Sequence, residues 1–153
     1  MMTYEQALSR MAALCSTSEH CESDIRQKLA KAAMPPADIE RIVTYLYDNA
    51  YLDTARYCNA YASDQLRFAH WGRMKIAQAL RIKGLPQTDI SEALELLPEE
   101  AYASVLHDLL RQKARTLHDE DEYTRRAKLM RYAAGRGFTA NEIIDAMDSV
   151  NIN

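Results

Sequence analysis

The sequence predicts an all-α protein in which three tandem three-helix repeats form an elongated, curved body. The supporting observations are a composition poor in turn-forming residues, an apolar pattern that recurs along the chain, and helix-capping signals at matching places. Of the 153 residues, 48% are hydrophobic, but only 4 are glycine and 4 are proline. A β-rich fold of this length needs many tight turns, which these residues usually supply. The composition therefore favours helices joined by short connections.

The repeat is visible when the chain is aligned with itself. A shift of 51 residues, followed by a second shift of 53, places apolar residues on apolar residues, small residues on small ones and acids on acids. The eight columns are Ile25, Ile76 and Leu129; Leu29, Leu80 and Ala133; Ala33, Gly84 and Gly137; Met34, Leu85 and Phe138; Asp38, Asp89 and Glu142; Ile39, Ile90 and Ile143; Val43, Leu94 and Met147; and Leu46, Leu97 and Val150. Such self-similarity is typical of repeat proteins, whose units bury surface against their neighbours.

Each copy is predicted to open with its own helix. The first of these runs from Tyr4 to Leu14, the second follows Asp53, and the third follows Pro98. Asp53 is of the type that caps helix N-termini, because its carboxylate can accept a free backbone N–H. The third opening helix is predicted to run about 18 residues, or roughly 27 Å.

Two further helices complete each copy. The second helix ends at the small residue of its column, where a left-handed conformation often stops a helix. The third begins at Pro35–Pro36, at Pro86, and at the capping box from Thr139 to Glu142, in which a hydroxyl and a carboxylate each accept a backbone N–H. The predicted units are residues 1–49, 50–97 and 98–153.

The charge of the chain is acidic overall but unevenly distributed. A formal net charge of −3 and a pI near 5.8 argue against a protein that coats nucleic acid through bulk charge. Residues 67–83 nevertheless contain no acid and five candidate binding residues: Arg67, Arg73, Lys75, Arg81 and Lys83. A second group follows on the equivalent helix of the third copy: Arg125, Arg126, Lys128, Arg131 and Arg136. Repeat symmetry predicts that the two groups form one track for a partner, and a solvated helix face is the alternative.

Trp71, the single tryptophan, lies among the basic residues of the first group. An aromatic ring between cations can stack on a nucleic-acid base while the cations hold phosphates. The favoured interpretation is a core residue that closes the first helix of the middle unit onto its second.

Patterns for catalysis, metal binding and membrane insertion are missing from the sequence. There is no glycine-rich phosphate loop, no Gly-x-Ser-x-Gly and no His-Glu-x-x-His. Cys15, His20 and Cys21 lack a second ligand pair at zinc spacing, and the acidic run at residues 119–122 is interpreted as a connector. The odd cysteine number and the absence of a signal sequence favour a reducing compartment. We expect a monomeric, cytoplasmic, non-enzymatic protein without metal, cofactor or membrane span.

Several segments, in order and spacing, resemble the RecX family of recombinase regulators. The resemblance extends from about Tyr4 to Val150, nearly the whole chain. The segments that carry it are residues 49–57, 71–72, 75–76, Leu80, residues 83–85 and 136–139, and Ile143. The family consists of three tandem three-helix repeats, in agreement with the repeat found above.

The resemblance implies a regulator of the bacterial recombinase RecA. Family members bind the RecA filament on single-stranded DNA, lodge in its helical groove and span neighbouring protomers. They thereby inhibit the ATPase, recombinase and SOS coprotease activities of RecA, and so modulate DNA repair and recombination. The implied partner of the basic groups is that filament, and a weak direct contact with DNA is left open.

Two other classes of function stay open on the sequence alone. Three-helix units resemble helix-turn-helix modules, so a direct DNA-binding protein is one alternative. The other is a generic helical-repeat scaffold for an unrelated protein.

Overall fold

The fold is all-α, as the sequence predicts. The computed structural model describes residues 1–118 and 120–149, so Asp119 of the acidic run and the expected repeat position Val150 lie outside the described residues. The described residues form nine α-helices and no β-strand. The helices are α1 Tyr4–Thr17, α2 Glu22–Lys31, α3 Pro36–Asp48, α4 Thr54–Asp64, α5 Arg73–Ile82, α6 Gln87–Glu95, α7 Glu99–Arg115, α8 Glu122–Gly135 and α9 Ala140–Ser149. We call α1–α3, α4–α6 and α7–α9 the first, second and third trio.

A left-handed residue follows the second helix of every trio. The backbone φ angle is 59° at Ala33, 85° at Gly84 and 99° at Gly137, which confirms the conformation predicted for the small-residue column. In each case the next N–H donates to the carbonyl five residues earlier, at 3.1 to 3.3 Å. This bond closes a Schellman motif, whose apolar residue after the turn packs back on the helix. The motif explains why a small and an apolar column stand side by side in the repeat.

Side chains cap the helix starts at four places in the described chain. At α8 the carboxylate of Asp121 accepts the backbone N–H of Thr124 at 2.8 Å. Thr3 and Gln6 form a capping box at the start of α1. The carboxylate of Asp53 accepts a backbone N–H of α4 at 2.8 Å, as expected. Thr139 and Glu142 form the predicted box at α9, with N–H to oxygen distances of 2.8 and 3.1 Å. These bonds satisfy donors that a helix otherwise leaves free in its first turn.

A π-helical segment, Gln65–Ala69, continues α4 and was not predicted. It ends at His70, whose φ angle of 57° is left-handed. Wider i to i+5 turns of this kind occur as short segments, often at functional sites. The segment leaves the ring of Phe68 71% exposed.

The interior of the described chain divides into two hydrophobic clusters. The first cluster lies within the first trio and the connection that follows it: Ala7, Met11, Ile25, Leu29, Met34, Ile42, Val43, Leu46 and Leu52. The second cluster runs through both remaining trios, and its largest fully buried members are Leu66, Ile76, Leu80, Ile90, Leu110, Phe138 and Ile143. Cys21 is the one residue of the first trio in the second cluster. The second and third trios therefore share a core, whereas the first has its own.

The first and second trios meet through polar contacts. The Arg56 guanidinium pairs with Glu19 at 2.6 Å and also donates to the carbonyl of Ala50 at 3.0 Å. Lys83 at the end of α5 pairs with Asp24 of α2 at 3.6 Å. These side chains are all partly exposed, so the pairs are screened by solvent.

The accessible surface is larger than that of a compact protein of this size. It measures 9122 Å². A compact monomer of 17.5 kDa exposes roughly 7,900 Å². An excess of this sign is expected when units are arranged in a row rather than around one centre.

Candidate functional site

The start of α5 and the end of α8 are joined backbone to backbone. The N–H of Gly72 donates to the carbonyl of Arg136 at 2.7 Å, and the N–H of Met74 donates to the carbonyl of Gly137 at 3.1 Å. A Cβ atom on Gly72 would lie 2.5 Å from the carbonyl carbon of Gly137, so any side chain at Gly72 is excluded. The third trio thus satisfies a donor in the first turn of α5 and brings parts of the two predicted basic groups together.

Arg73 lies at the centre of a network between the second and third trios. Its guanidinium pairs with Glu99 at 2.8 Å and with Glu142 at 3.4 Å, and donates to the carbonyl of Leu94 at 3.1 Å. The same group lies 4.0 Å from the centroid of the Tyr102 ring. The Tyr102 hydroxyl accepts the Arg73 N–H at 3.0 Å, and burial is the main reason that the pKa of Tyr102 rises to about 12. The charge of this predicted site residue is therefore directed into the protein.

Three more of the predicted basic residues face an acid within the chain. The pairs are Lys83 with Asp24 at 3.6 Å, Arg126 with Asp148 at 3.7 Å, and Lys128 with Glu120. Arg125 is half-buried and donates to the carbonyl of Ala114 at 3.3 Å. Because an adjacent carboxylate cancels most of the field of a cation, the paired residues offer little net charge to a partner.

The other five predicted residues have no acidic partner among the described residues, and we call them the uncompensated cations: Arg67, Lys75, Arg81, Arg131 and Arg136. Four of them are held by neutral groups. The contacts are Arg67 at 5.1 Å from the Phe68 ring centroid, Lys75 at 4.8 Å from that of Trp71, Arg81 at 2.8 Å from the Gln87 amide oxygen, and Arg136 at 3.0 Å from the Ala69 carbonyl. Neutral contacts orient these side chains without cancelling their charge.

Sequence reasoning missed a further cation at the same junction. The Lys113 ammonium lies 4.9 Å from the centroid of the Tyr132 ring, and the Arg136 guanidinium lies 5.4 Å from the same ring. Lys113 belongs to α7 and reaches Tyr132 only because α7 packs against α8. No local spacing in the sequence signals this approach. We call Trp71, Lys75, Lys113, Tyr132 and Arg136 the junction cluster.

Trp71 contacts both the hydrophobic interior and a lysine. It is half-buried and packs against the second hydrophobic cluster. The ammonium of Lys75 lies over the face of the Trp71 ring. A cation on an aromatic face gains about 0.5–1 kcal/mol at an exposed site, which is enough to orient the lysine.

A groove adjoins the junction cluster, between α5 and the end of α8. Its volume is about 440 Å³. Its lining residues are Met74, Lys75, Gln78, Arg81, Ala134, Gly135 and Gly137. Among these described residues two are cations and none is an acid, so the groove is positively charged. We call it the α5 groove.

The thiols are buried or half-buried and form no metal site in the described chain. Groups of three or more potential metal ligands are absent from residues 1–118 and 120–149. Burial is the main cause that raises the pKa of Cys15 and raises that of Cys58 to about 11. Both thiols are therefore protonated near neutral pH, which lowers their reactivity. The described helices also include none with the length and apolar composition that a bilayer crossing requires.

Two protein-family models match the chain. The family model for the second three-helix domain of RecX matches residues 53–94. The model for the third three-helix domain of RecX matches residues 100–147. The two matches together cover more than half of the chain. The chain belongs to the RecX family.

RecX relatives match the chain along most of its length. Regulatory protein RecX of Yersinia enterocolitica is 27% identical, over 89% of this chain and 92% of that protein. Regulatory protein RecX of Pelodictyon phaeoclathratiforme is 29% identical, over 88% of this chain and 82% of that protein. The similarity therefore also includes much of the first trio, which the two family models leave out.

Solved RecX structures share the fold. A crystal structure of regulatory protein RecX has a TM-score of 0.83 at 28% identity, over 93% of this chain and 71% of that one. The crystal structure of RecX from Lactobacillus salivarius has a TM-score of 0.86 and covers 98% of this chain, at 15% identity. The second likeness supports the architecture alone. The resemblance stated from the sequence is thus confirmed at the level of family and fold.

Proposed function

We propose that this RecX chain is a non-enzymatic regulator that binds the RecA filament on single-stranded DNA. Binding inhibits the ATPase, recombinase and SOS coprotease activities of RecA, and thereby modulates DNA repair and recombination. The observation that carries the proposal is the set of uncompensated cations on the second and third trios of a RecX-family protein. A protein with a net charge of −3 that keeps cations without acidic partners on its second and third trios is suited to a directed contact.

The proposed mechanism is docking across several subunits. We take the chain as three units, residues 1–49, 50–97 and 98–153, because each then holds one complete helix trio. Units in a row can contact successive protomers of a helical filament. Weak contacts that are linked in one chain bind together more tightly than each does alone. A body bound across protomers then resists the movements that ATP hydrolysis and strand exchange require.

Within this proposal the ten basic residues have different roles. Arg73 and the acid-paired residues hold the fold in place. The uncompensated cations, together with Lys113, contact the filament. This division follows from where each charge is directed, since only a cation without a nearby carboxylate presents its full field to a partner.

A direct contact with single-stranded DNA is the second candidate function. The junction cluster favours it, because three cations lie on two aromatic rings there. Aromatic rings stack on bases and cations neutralise phosphates, and both kinds of group serve single-strand binding. The low pI argues for a contact that only supplements binding to the protein filament.

The proposal is tested by titrating the protein into RecA, single-stranded DNA and ATP, and measuring the hydrolysis rate. We expect the purified protein to lower the rate. The double variant Lys75→Glu with Arg81→Glu should need about tenfold more protein for the same inhibition, because two interfacial charges change sign. The matched control is Lys28→Glu with Lys31→Glu, which reverses two exposed lysines on α2, the corresponding helix of the first trio.

Two results would count against the proposal. Unchanged hydrolysis at saturating wild-type protein would reject regulation of RecA. Equal inhibition by the wild type and the Lys75→Glu, Arg81→Glu variant, at native helicity, would reject this surface. The same variants are then measured on a labelled oligonucleotide without RecA. Binding to free DNA that falls steeply with salt would favour the second candidate.

A further inference from the structure

The outer face of α5 is unusually apolar for a solvent-exposed surface. Met74 is 60% exposed and Ile82 is 80% exposed. They stand eight residues apart, with Gln78 between them, so all three lie on one helix face. The opposite face of α5 buries Ile76 and Leu80 in the second cluster. A helix that is already packed on one side thus also exposes two large apolar side chains, Met74 and Ile82, which we call the exposed stripe.

The α5 groove reaches the exposed stripe at Met74, whereas Ile82 lies outside the groove lining. Met74 and Gln78 line the groove from α5, and Ala134 and Gly135 line it from the end of α8. The small size of these two α8 residues keeps the groove open. A Cβ atom built on Gly135 would meet nothing within 4 Å. At about 440 Å³ the groove has room for a few side chains of a partner, not for a second domain.

The cations of the groove are positioned but not neutralised. The ammonium of Lys75 rests on the Trp71 ring at 4.8 Å, and Arg81 donates to Gln87 at 2.8 Å. No acid belongs to the part of the groove lining that the structure describes. The groove therefore combines an apolar wall with two oriented positive charges.

We propose that the α5 groove receives an acidic, amphipathic segment of the filament protein. Carboxylates of the segment pair with Lys75 and Arg81, and its apolar side chains cover Met74 and Ile82. The inference rests on the proposed function, and it names the chemistry of the partner surface. The positive charges of Lys75 and Arg81 call for acidic residues in the segment, and the exposed side chains of Met74 and Ile82 call for apolar ones.

Nucleic acid fits the groove less well than such a segment. A phosphate backbone supplies negative charge but no aliphatic side chain to cover Met74 and Ile82. Only two cations line the groove, whereas phosphate tracks are usually built from many. A protein segment satisfies both features at once, in the manner of a helix laid into a groove.

The occupant is identified by a photo-crosslinker placed inside the groove. Gln78→p-benzoylphenylalanine puts the reactive group at an exposed position of the lining. The matched control is the same replacement at Gln27, which is exposed on α2 at the corresponding position of the first repeat. After irradiation on RecA filaments, we expect the Gln78 variant to crosslink to one RecA peptide with several acidic and apolar residues. The Gln27 variant should give no such product.

A groove-filling variant tests the same inference by function. Gly135→Leu adds a bulky side chain at a lining position whose Cβ meets no other atom within 4 Å. We expect it to weaken inhibition of the RecA ATPase about tenfold, since a filled groove cannot admit the segment. The matched control is Lys31→Leu, which places a leucine at the corresponding exposed position of the first trio and should inhibit as the wild type does. Thermal melting shows whether both variants are folded.

The outcomes separate this inference from the proposed function. A crosslink to DNA, a crosslink to a RecA peptide without acids, or full inhibition by Gly135→Leu would overturn the groove inference and leave RecA regulation standing. Failure of the wild-type protein to inhibit RecA would overturn the proposed function, on which the inference depends.

Discussion

The two junctions between helix trios are built from different interactions. The first joins the first and second trios by partly exposed ion pairs, such as Arg56 with Glu19 at 2.6 Å. The second joins the second and third trios by two backbone hydrogen bonds, a partly buried arginine network and one shared hydrophobic cluster. The same repeat unit is thus linked to its neighbours in two ways.

The difference teaches that repetition in sequence does not imply equal coupling in structure. The first trio buries its own cluster and contributes only Cys21 to the other one. The second and third trios cannot be separated without exposing their common core. We therefore expect the molecule to behave as two cooperative units, one of which contains two repeats.

The largest expected effect comes from Gly72→Ala. The φ angle of −83° at Gly72 suits any residue, so the cost is steric alone. The new Cβ would lie 2.5 Å from backbone atoms of Gly137, which cannot move without breaking the junction. We expect a loss of about 3 kcal/mol or more, or a melting temperature of the shared core lower by about 12–24 °C. Fluorescence of Trp71 reports the shared core, and circular dichroism reports all helices.

Gly135→Ala is the matched control, because its Cβ meets nothing within 4 Å. Its stability should change by less than about 1 kcal/mol. If Gly72→Ala shifted the fluorescence and circular dichroism transitions of the whole chain equally, the two units would not be independent.

A smaller effect is expected from removing one arginine at each junction. Arg73→Met leaves the partly buried Glu142 without its cation and should destabilise the shared core by about 2–3 kcal/mol. Arg56→Met removes a pair whose arginine is largely exposed and should cost about 0.5–1 kcal/mol. Hydrogen exchange in α3 and in α5 measures the two regions separately.

Salt sharpens the distinction between these two variants. At about 1 M salt the Debye length falls to about 3 Å, so the Arg56→Met effect should vanish and the Arg73→Met effect should persist. If the destabilisation by Arg73→Met also vanished at high salt, the ion pairs of both junctions would be equally screened by solvent.

A further effect is expected at alkaline pH. Burial is the first cause that raises the pKa of Tyr102 and of Tyr47 to about 12 each, and a hydrogen bond to Glu22 adds to the effect at Tyr47. Because the folded pKa lies above the ordinary value near 10, the neutral phenols stabilise the fold fully below about pH 10. This stabilisation is lost as pH rises through about 12.

Two phenylalanine variants assign the alkaline loss to each core. Tyr102→Phe should reduce the fall in Trp71 fluorescence midpoint between about pH 10 and 12. A remaining fall is expected from Tyr57 of the same cluster, whose pKa burial also raises. Tyr47→Phe should leave the pH dependence of the Trp71 fluorescence midpoint unchanged. It should reduce the alkaline loss of helicity in the first trio. If the pH profile of Trp71 fluorescence in Tyr102→Phe matched that of the wild type, Tyr102 would not contribute to the pH dependence of the shared core.

Most of the fold could be predicted from the sequence because its signals are local. The left-handed turns at Ala33, Gly84 and Gly137 and the capping box at Thr139 depend on residues within one or two helical turns. The π-helical segment could not be predicted, because nothing in the local pattern distinguishes residues 65–69 from a continued α-helix. The division into two cores also depends on packing between distant segments.

The candidate site was less predictable than the fold. Counting charges found Arg73 and Lys75 together, but only the folded chain separates them, since Arg73 faces Glu99 and Glu142 while Lys75 faces Trp71. Lys113 was missed because its approach to Tyr132 crosses from α7 to α8. Side-chain pairing between helices decides which charges remain available, and that information is not local.

The backbone bonds at Gly72 and Gly137 also bear on how the chain matures during translation. About 65 residues separate these glycines, so α5 leaves the ribosome well before the loop that completes its first turn. At about 5–20 residues per second the delay is roughly 3–13 s. The first trio can close while it emerges, whereas the middle repeat must wait for the last one with its apolar face uncovered. The nascent protein is therefore most exposed to chaperones and proteases at its centre, not at its ends.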